Sequence, residues 1–315
     1  MDVIHFRMVM PAALTRPALD LLASDDRVLN VVVVRSVRVP DGDAVECDVL
    51  KGAADAVLGD LRELGVDRAG AIAVDGVDLM FSRGAERIEA SRPGAHAPLW
   101  AAVEARIRAE GTYPPSFYLF LVIAAIIGAV GIMTNSQILI VGAMVVGPEY
   151  RAITSIALGL DQSNRRRVRE GVRALTAGFL LAIAVTLVFA LLSRAAHLQS
   201  QAYELGLRPV SHLIDTPDFF SVVVAFLAGV VGIVSLTESR GSALLGVFIS
   251  VTTIPAASDI AVSVAFAEWR QARGSLLQLL LNVVVLVGVG VLTLRLQRRL
   301  WRRVAGRTAR RPKRP

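Results

Sequence analysis

The chain has 315 residues, 54% of them hydrophobic, and a mean hydropathy of +0.56. A water-soluble domain of that length rarely reaches such an average, so membrane-spanning segments are expected and a purely soluble enzyme is not. The formal net charge of +7 is concentrated: ten Lys/Arg and no acid lie between Arg295 and Pro315, and five Arg against one Glu between Asn164 and Arg173. Basic clusters beside apolar segments set membrane orientation and meet anionic headgroups. Nucleic acid is the competing partner for such a tail, and its place next to a span argues for lipid.

Cys47 is the only cysteine, so no intrachain disulfide can form. His5, His96, His197 and His212 have no ligand spacing, and neither a metal nor another cofactor is expected. Met1 to Met10 lacks the apolar core of a signal peptide, which predicts a cytoplasmic N-terminal region at the inner (plasma) membrane.

Residues 1–83 read as a small α+β domain. Val3–Met10 predicts a strand closed by Pro11, and Arg16–Ala23 a helix with Leu19 and Leu22 on one side. Val28–Val39 contains four consecutive valines, whose β-branching favours a strand. Asp41–Gly42–Asp43 is the expected turn, with Ala44–Leu50 returning as the second strand of a hairpin. Ala53, Val57, Leu61 and Leu64 recur at helical spacing before Gly65, and Gly70–Val74 supplies a last strand. The order βαββαβ predicts a ferredoxin-like domain of the ACT type.

A linker and interfacial helix follow over 84–115. Ser82–Pro98 is polar, whereas Leu99, Trp100, Val103 and Ile107 form an apolar stripe expected at the headgroup layer. The membrane domain occupies 116–296, with six predicted spans at 116–133, 138–160, 172–193, 218–236, 243–266 and 275–294. A basic cytoplasmic tail, 297–315, ends the chain. Charge bias puts the Arg165–Arg169 loop and both termini inside, and Arg194–Pro217, together with the loop holding Arg270 and Arg273, outside.

The spans repeat. Gly128–Ala129–Val130–Gly131–Ile132 recurs as Gly229–Val230–Val231–Gly232–Ile233, and Thr134–Asn135–Ser136 as Thr237–Glu238–Ser239. Pro148 then matches Pro255, and Gly171 matches Gly274. Three spans per copy is an odd number, so the copies are predicted to be inverted and their mid-span breaks to share one depth. The competing reading is a single-copy bundle with two proline kinks.

Each break carries candidate chemistry. Pro148 should stop a helix at Val146, with Gly147 turning the chain and Glu149 in the first turn of a new half-helix. Around the second break stand Thr252 and Thr253 as cap hydroxyls, then Pro255, Ser258 and Asp259. Half-helix starts suit an anion, whereas Glu149 and Asp259 suit a proton or cation. Arg151 could pair with either carboxylate, so a closed Glu–Arg–Asp network that only locks helices is the structural alternative. Asn135, Ser136, Gln137 and Glu238 are read as a gate or, preferably, a polar cap.

The run Gln137-Ile-Leu-Ile-Val-Gly-Ala-Met-Val-Val-Gly-Pro-Glu149, preceded by Thr134–Asn135–Ser136, resembles the signature of bacterial hydrophobic membrane proteins grouped as domain-of-unknown-function family 389. Its actinobacterial branch resembles this stretch especially closely. The resemblance implies a membrane location and the two-domain architecture, and carries no established activity.

The leading functional expectation is an ion- or proton-coupled secondary transporter of a small polar or anionic solute. The alternative is an ion channel, or a membrane-bound sensor regulated through its N-terminal domain. Enzyme chemistry is not expected, because no triad, Cys/His pair, phosphate loop or metal cluster is present. A homo-oligomer is the expected assembly.

Overall fold

A computed structural model describes residues 3–38, 41–77, 98–198, 214, 216, 218–237 and 252–309. The chain divides into two compact units: Met1–Val103 with Gln297–Pro315, and Glu104–Leu296.

The first unit is a mixed α/β domain. Its elements are β1 (Val3–Met10), α1 (Ala12–Ala23), β2 (Val28–Arg38), β3 (Asp41–Leu50), α2 (Lys51–Glu63), the short α3 (Val66–Ala69) and β4 (Ala71–Val77). They form a four-stranded sheet of order β2-β3-β1-β4, antiparallel throughout, with Phe6 opposite Cys47 and Val74. Strand alternation sends Ile4, Phe6, Met8 and Met10 to one face, beside Val45, Cys47 and Val49. The apolar stripes of α1 (Ala18, Leu22) and α2 (Ala53, Val57, Leu61) cover that face. Burial in this core pushes the Cys47 thiol up to about 12, with the Asp48 charge adding to the effect. The opposite face carries a small apolar cluster around Val3 and Leu50 at one end and polar groups beyond it, where His5 Nδ1 lies 2.9 Å from Asp48 Oδ1.

One local expectation is corrected. Asp41–Gly42–Asp43 is not the turn, because all three residues lie in β3, and residues 39–40 are outside the described residues. The Asp43 carboxylate is buried and accepts from the Thr15 hydroxyl at 2.8 Å and the Ser36 amide at 3.1 Å, tying α1 and β2 to the sheet. The valine run does form β2, yet its register shifts twice, beside Asn30 and Ser36 at positive φ. Val31, Val32 and Val34 are left exposed on this edge strand, which the bulges bend.

Helix α4 (Trp100–Glu110) follows. The Trp100 and Ala101 amides donate to Asp55, and Leu99 joins the sheet domain's core. The stripe expected at a headgroup layer (Leu99, Val103, Ile107) is thus buried within the protein.

The second unit is helical: α5 (Pro115–Met133), α6 (Gln137–Val146), α7 (Glu149–Asp161), α8 (Arg165–Ala195), α9 (Phe219–Thr237), α10 (Thr253–Ala265) and α11 (Trp269–Ala309, the part to Leu296). Among the described residues α5, α8, α9 and α11 are long and apolar enough to cross a membrane, and α6 with α7, bent by 49°, makes a fifth candidate. Large apolar side chains such as Ile138, Leu180, Leu192 and Val284 are exposed, as a lipid-facing surface requires. The protein is therefore a polytopic α-helical membrane protein with an N-terminal mixed α/β domain. Of the fifth expected span, 243–266, only residues from Thr252 on, α10 among them, are described. The Arg165–Arg169 segment is the opening of α8, capped by Asn164 and bearing an Arg166–Glu170 pair, rather than a loop. Arg270 and Arg273 likewise belong to α11.

Candidate functional site at the paired helix starts

The first break forms where the sequence places it. Helix α6 ends at Val146, Gly147 is extended (φ −66°, ψ 129°), and α7 begins at Glu149 after Pro148. Proline explains both events: its ring clashes with the preceding turn, and its missing N–H costs nothing just ahead of a new helix.

The second break is displaced from its expected position. Helix α10 starts at Thr253, two residues before Pro255, with Thr252 as the cap residue. Pro255 sits in the first turn, where backbone N–H groups have no intrahelical partner, so it opens α10 without breaking it. Neither threonine caps through its side chain. The Thr253 hydroxyl donates instead to Glu149 Oε1 at 2.7 Å.

That bond joins the first residue of one half-helix to the first residue of the other. A side chain at Gly147 would press on Ile254, whose Cγ1 lies 2.7 Å from the position a Cβ would take. The two helix starts are therefore in contact, and their positive dipole ends converge on one carboxylate. Thr253 is fully buried and Glu149 is 6% exposed. Glu149 Oε2 is buried with no hydrogen-bond partner. A bare carboxylate oxygen inside a protein is costly unless a proton or a cation occupies it.

Helices α7 and α10 match in form. Each has 13 residues, and two residues past each end stands a residue at positive φ, Ser163 and Ala267. The next amide reaches back five residues in both cases, Asn164 to Gly159 and Glu268 to Ser263, each at 2.7 Å. This is a Schellman-type stop. Each C-terminal end is held by an arginine near the end of a long helix from the other sequence half. Arg194 of α8 donates to the Ala265 carbonyl at 2.5 Å, and Arg295 of α11 to Asp161 at 3.2 Å. Glycines admit the close crossings. Ser258 of α10 packs on Gly128 of α5 and donates to the Ala125 carbonyl, while Tyr150 of α7 packs its hydroxyl on Gly232 of α9.

The remaining sequence-derived residues separate. Asp259 is fully buried but lies six residues past Thr253, about 9 Å along α10. It accepts from Ser275 at 2.6 Å and Ser263 at 3.3 Å, so it has a hydroxyl shell distinct from the partners of Glu149. Arg151 is exposed, and two residues turn a helix by about 200°, which carries it away from Glu149. The Glu–Arg–Asp network is not assembled. Ser136 caps α6, accepting from the Leu139 amide, with Asn135 at positive φ before it and Gln137 opening the helix. Glu238 lies outside the described residues.

Sequence reading missed three residues beside these helix starts. Gln278 and Asn282 of α11 both donate to the Thr252 hydroxyl oxygen, at 3.2 and 2.8 Å, and Ser275 serves Asp259. All three are buried. The signal was present: Ser275, Gln278 and Asn282 follow one another at spacings of three and four, a polar stripe down one face of an apolar span.

Residues 144–288, which take in both helix starts and this stripe, match the model of the family described as Domain of unknown function (DUF389). An uncharacterized protein of the archaeon Methanocaldococcus jannaschii is 20% identical over 168 residues, covering 53% of this chain and 50% of its own length. The chain thus spans about half the length of the curated relative it matches. No solved structure matches. Among the described residues, no group of three or more His, Cys, Asp or Glu is placed to hold a metal.

Proposed function

We propose that this protein is a proton- or cation-coupled secondary transporter of a small polar solute, with Glu149 as the coupling group. The observation that carries the reading is the Glu149 side chain: buried between two helix starts, bonded to Thr253 through one oxygen and bare at the other. Broken helices whose starts meet inside a bundle are the arrangement in which carriers hold solutes and coupling ions. A sensor has no need of a buried, half-satisfied carboxylate at such a place.

The wider architecture belongs to this proposal. With α10 as the second half of a span that begins before the described residues, there are six spans in two three-helix copies. The matched lengths, stops and arginine clasps of α7 and α10 favour an inverted relation between the copies. The strand order β2-β3-β1-β4 supports a ferredoxin-like reading of the N-terminal domain. In this scheme the boundaries fall near 83, 115 and 296, both termini face the cytoplasm at the inner membrane, and the basic tail meets anionic lipid. The protein works as a homo-oligomer, is not an enzyme and, on its Thr134–Glu149 signature, sits with actinobacterial members of the family.

The test uses full-length protein in proteoliposomes and labelled guanidinium, glycerol, formate and phosphate as probe solutes. Flux of at least one solute is expected to depend on a pH or sodium gradient, and Glu149→Gln is expected to abolish that dependence while the protein remains monodisperse. Gradient dependence retained in Glu149→Gln refutes the coupling role. Single-channel currents in planar bilayers would move the protein to the channel class.

A further inference from the structure

A cavity of about 260 Å³ lies in the second unit, between the beginning of α9 and the polar stripe of α11. At one end are Asp218, just ahead of α9, and Ser221 in its first turn; at the other are Thr252, Gln278 and Asn282. Gln278 and Asn282 stand three and seven residues inside the 275–294 span, about 5 and 11 Å along α11, so the cavity reaches roughly a third of the way into a ~30 Å hydrocarbon layer. It ends on Thr252, the residue just ahead of the helix start that meets Glu149.

The chemistry of the lining is selective. Gln278 is 2% exposed, and its amide nitrogen is engaged with Thr252 while Oε1 is buried without a donor. Asn282 donates its amide to the same hydroxyl oxygen at 2.8 Å, and its Oδ1, which accepts from Gln278 Nε2 at 3.5 Å, keeps its second lone pair for a ligand. The floor therefore offers acceptor oxygens. Asp218 contributes the charge at the other end. The Ser221 amide (2.7 Å) and hydroxyl (2.9 Å) hold its carboxyl below the usual carboxylate range, so it is ionised at neutral pH. Among the described residues lining the cavity there is no basic side chain. Phe220, Val224 and Ala225 supply an apolar wall.

We propose that this cavity is the solute site, and that its ligand is a small organic cation with N–H donors, an ammonium or guanidinium group on a short apolar body. An anion would meet a carboxylate and acceptor oxygens, with no cation among the described lining residues to receive it. A donor-bearing cation satisfies Gln278 Oε1, is attracted by Asp218, and rests its carbon portion on Val224 and Phe220. The role as a transport site rests on the carrier reading above, whereas the binding chemistry does not.

Binding is measured with labelled guanidinium on purified full-length protein in nanodiscs at constant ionic strength. Saturable binding is expected, displaced by methylammonium and unaffected by formate. Gln278→Leu is expected to weaken it about ten-fold or more, and Asp218→Asn by several-fold. No saturable binding, displacement by formate, displacement by sodium as effective as by methylammonium, or undiminished binding in Gln278→Leu would each overturn the proposal. A second measurement covers a Gln278→Leu protein that fails to fold. In Val224→Cys, a cationic methanethiosulfonate should outpace an anionic one by about ten-fold relative to a free thiol. Adding Asp218→Asn should erase that preference, and guanidinium should protect the site. Equal rates would count against the site. The native Cys47, buried with a raised thiol, gives no competing signal. Guanidinium binding without any coupled flux would sink the carrier reading and leave this site standing. Coupled flux of formate without guanidinium binding would do the reverse.

Discussion

Helices α7 and α10 share a length, a stop and an arginine clasp, yet they open with different chemistry. Helix α7 begins with a carboxylate behind Gly147–Pro148, while α10 begins with a hydroxyl ahead of Pro255. Where the two starts meet, one side accepts and the other donates, and only the accepting side retains an unused oxygen. The second carboxylate, Asp259, lies further along α10 among serines. The lesson is a division of labour. Matched backbone scaffolds place two helix starts together, and unmatched side chains let one of them hold a proton or ion while the other fixes its position.

The sharpest way to break this comparison is at the crossings. Gly232→Val drives a side chain into Tyr150, which α7 cannot move without leaving its place, and should cost several kcal/mol, enough to abolish monodisperse protein on size-exclusion chromatography. Gly142→Ala, where a Cβ meets open space, should instead be neutral or stabilising by up to about 1 kcal/mol in a thermal-unfolding series.

Next in size are the two carboxylates. Asp259→Ala strands the Ser275 and Ser263 hydroxyls in the core and should destabilise by about 2–3 kcal/mol. Glu149→Gln keeps an acceptor for Thr253 and should cost under about 1 kcal/mol, although it removes gradient-dependent flux. If denaturation places the two variants in the opposite order, Asp259 rather than Glu149 is the dispensable, functional acid.

The arginine clasps give a smaller contrast. Arg194→Gln loses a part-buried bond to a helix C-terminal carbonyl and should cost about 1–2 kcal/mol. Arg295, with a half-exposed side chain, should cost less than about 1 kcal/mol as Arg295→Gln. Equal losses would show that the two clasps are equivalent. Smallest of all are the stops: Ala267→Gly and Ser163→Gly relieve a positive φ and should each stabilise by about 0.5–1 kcal/mol, read as a slightly raised unfolding midpoint.

Local chemistry was legible from the chain alone. Proline at 148 dictates the first break because ring sterics and a missing donor act within one turn. The alternation of β1 and the stripe of α2 likewise identify the sheet domain's core, since period and burial are linked residue by residue. The valine run declared β2, though not its bulges, which depend on pairing with β3. Pro255 misled because a proline is equally content in the first turn of a helix, and only packing decides where that turn begins.

Three features required the folded molecule: that Glu149 finds Thr253 across 104 positions, that Arg151 turns outward, and that Gln278 and Asn282 converge on Thr252. The sequence by itself determined a membrane bundle with a proline-broken helix and buried acids, because hydropathy and backbone sterics are local. Which acid meets which hydroxyl was decided only in three dimensions, because side chains on separate helices come within bonding distance through glycine-lined crossings that no local pattern encodes.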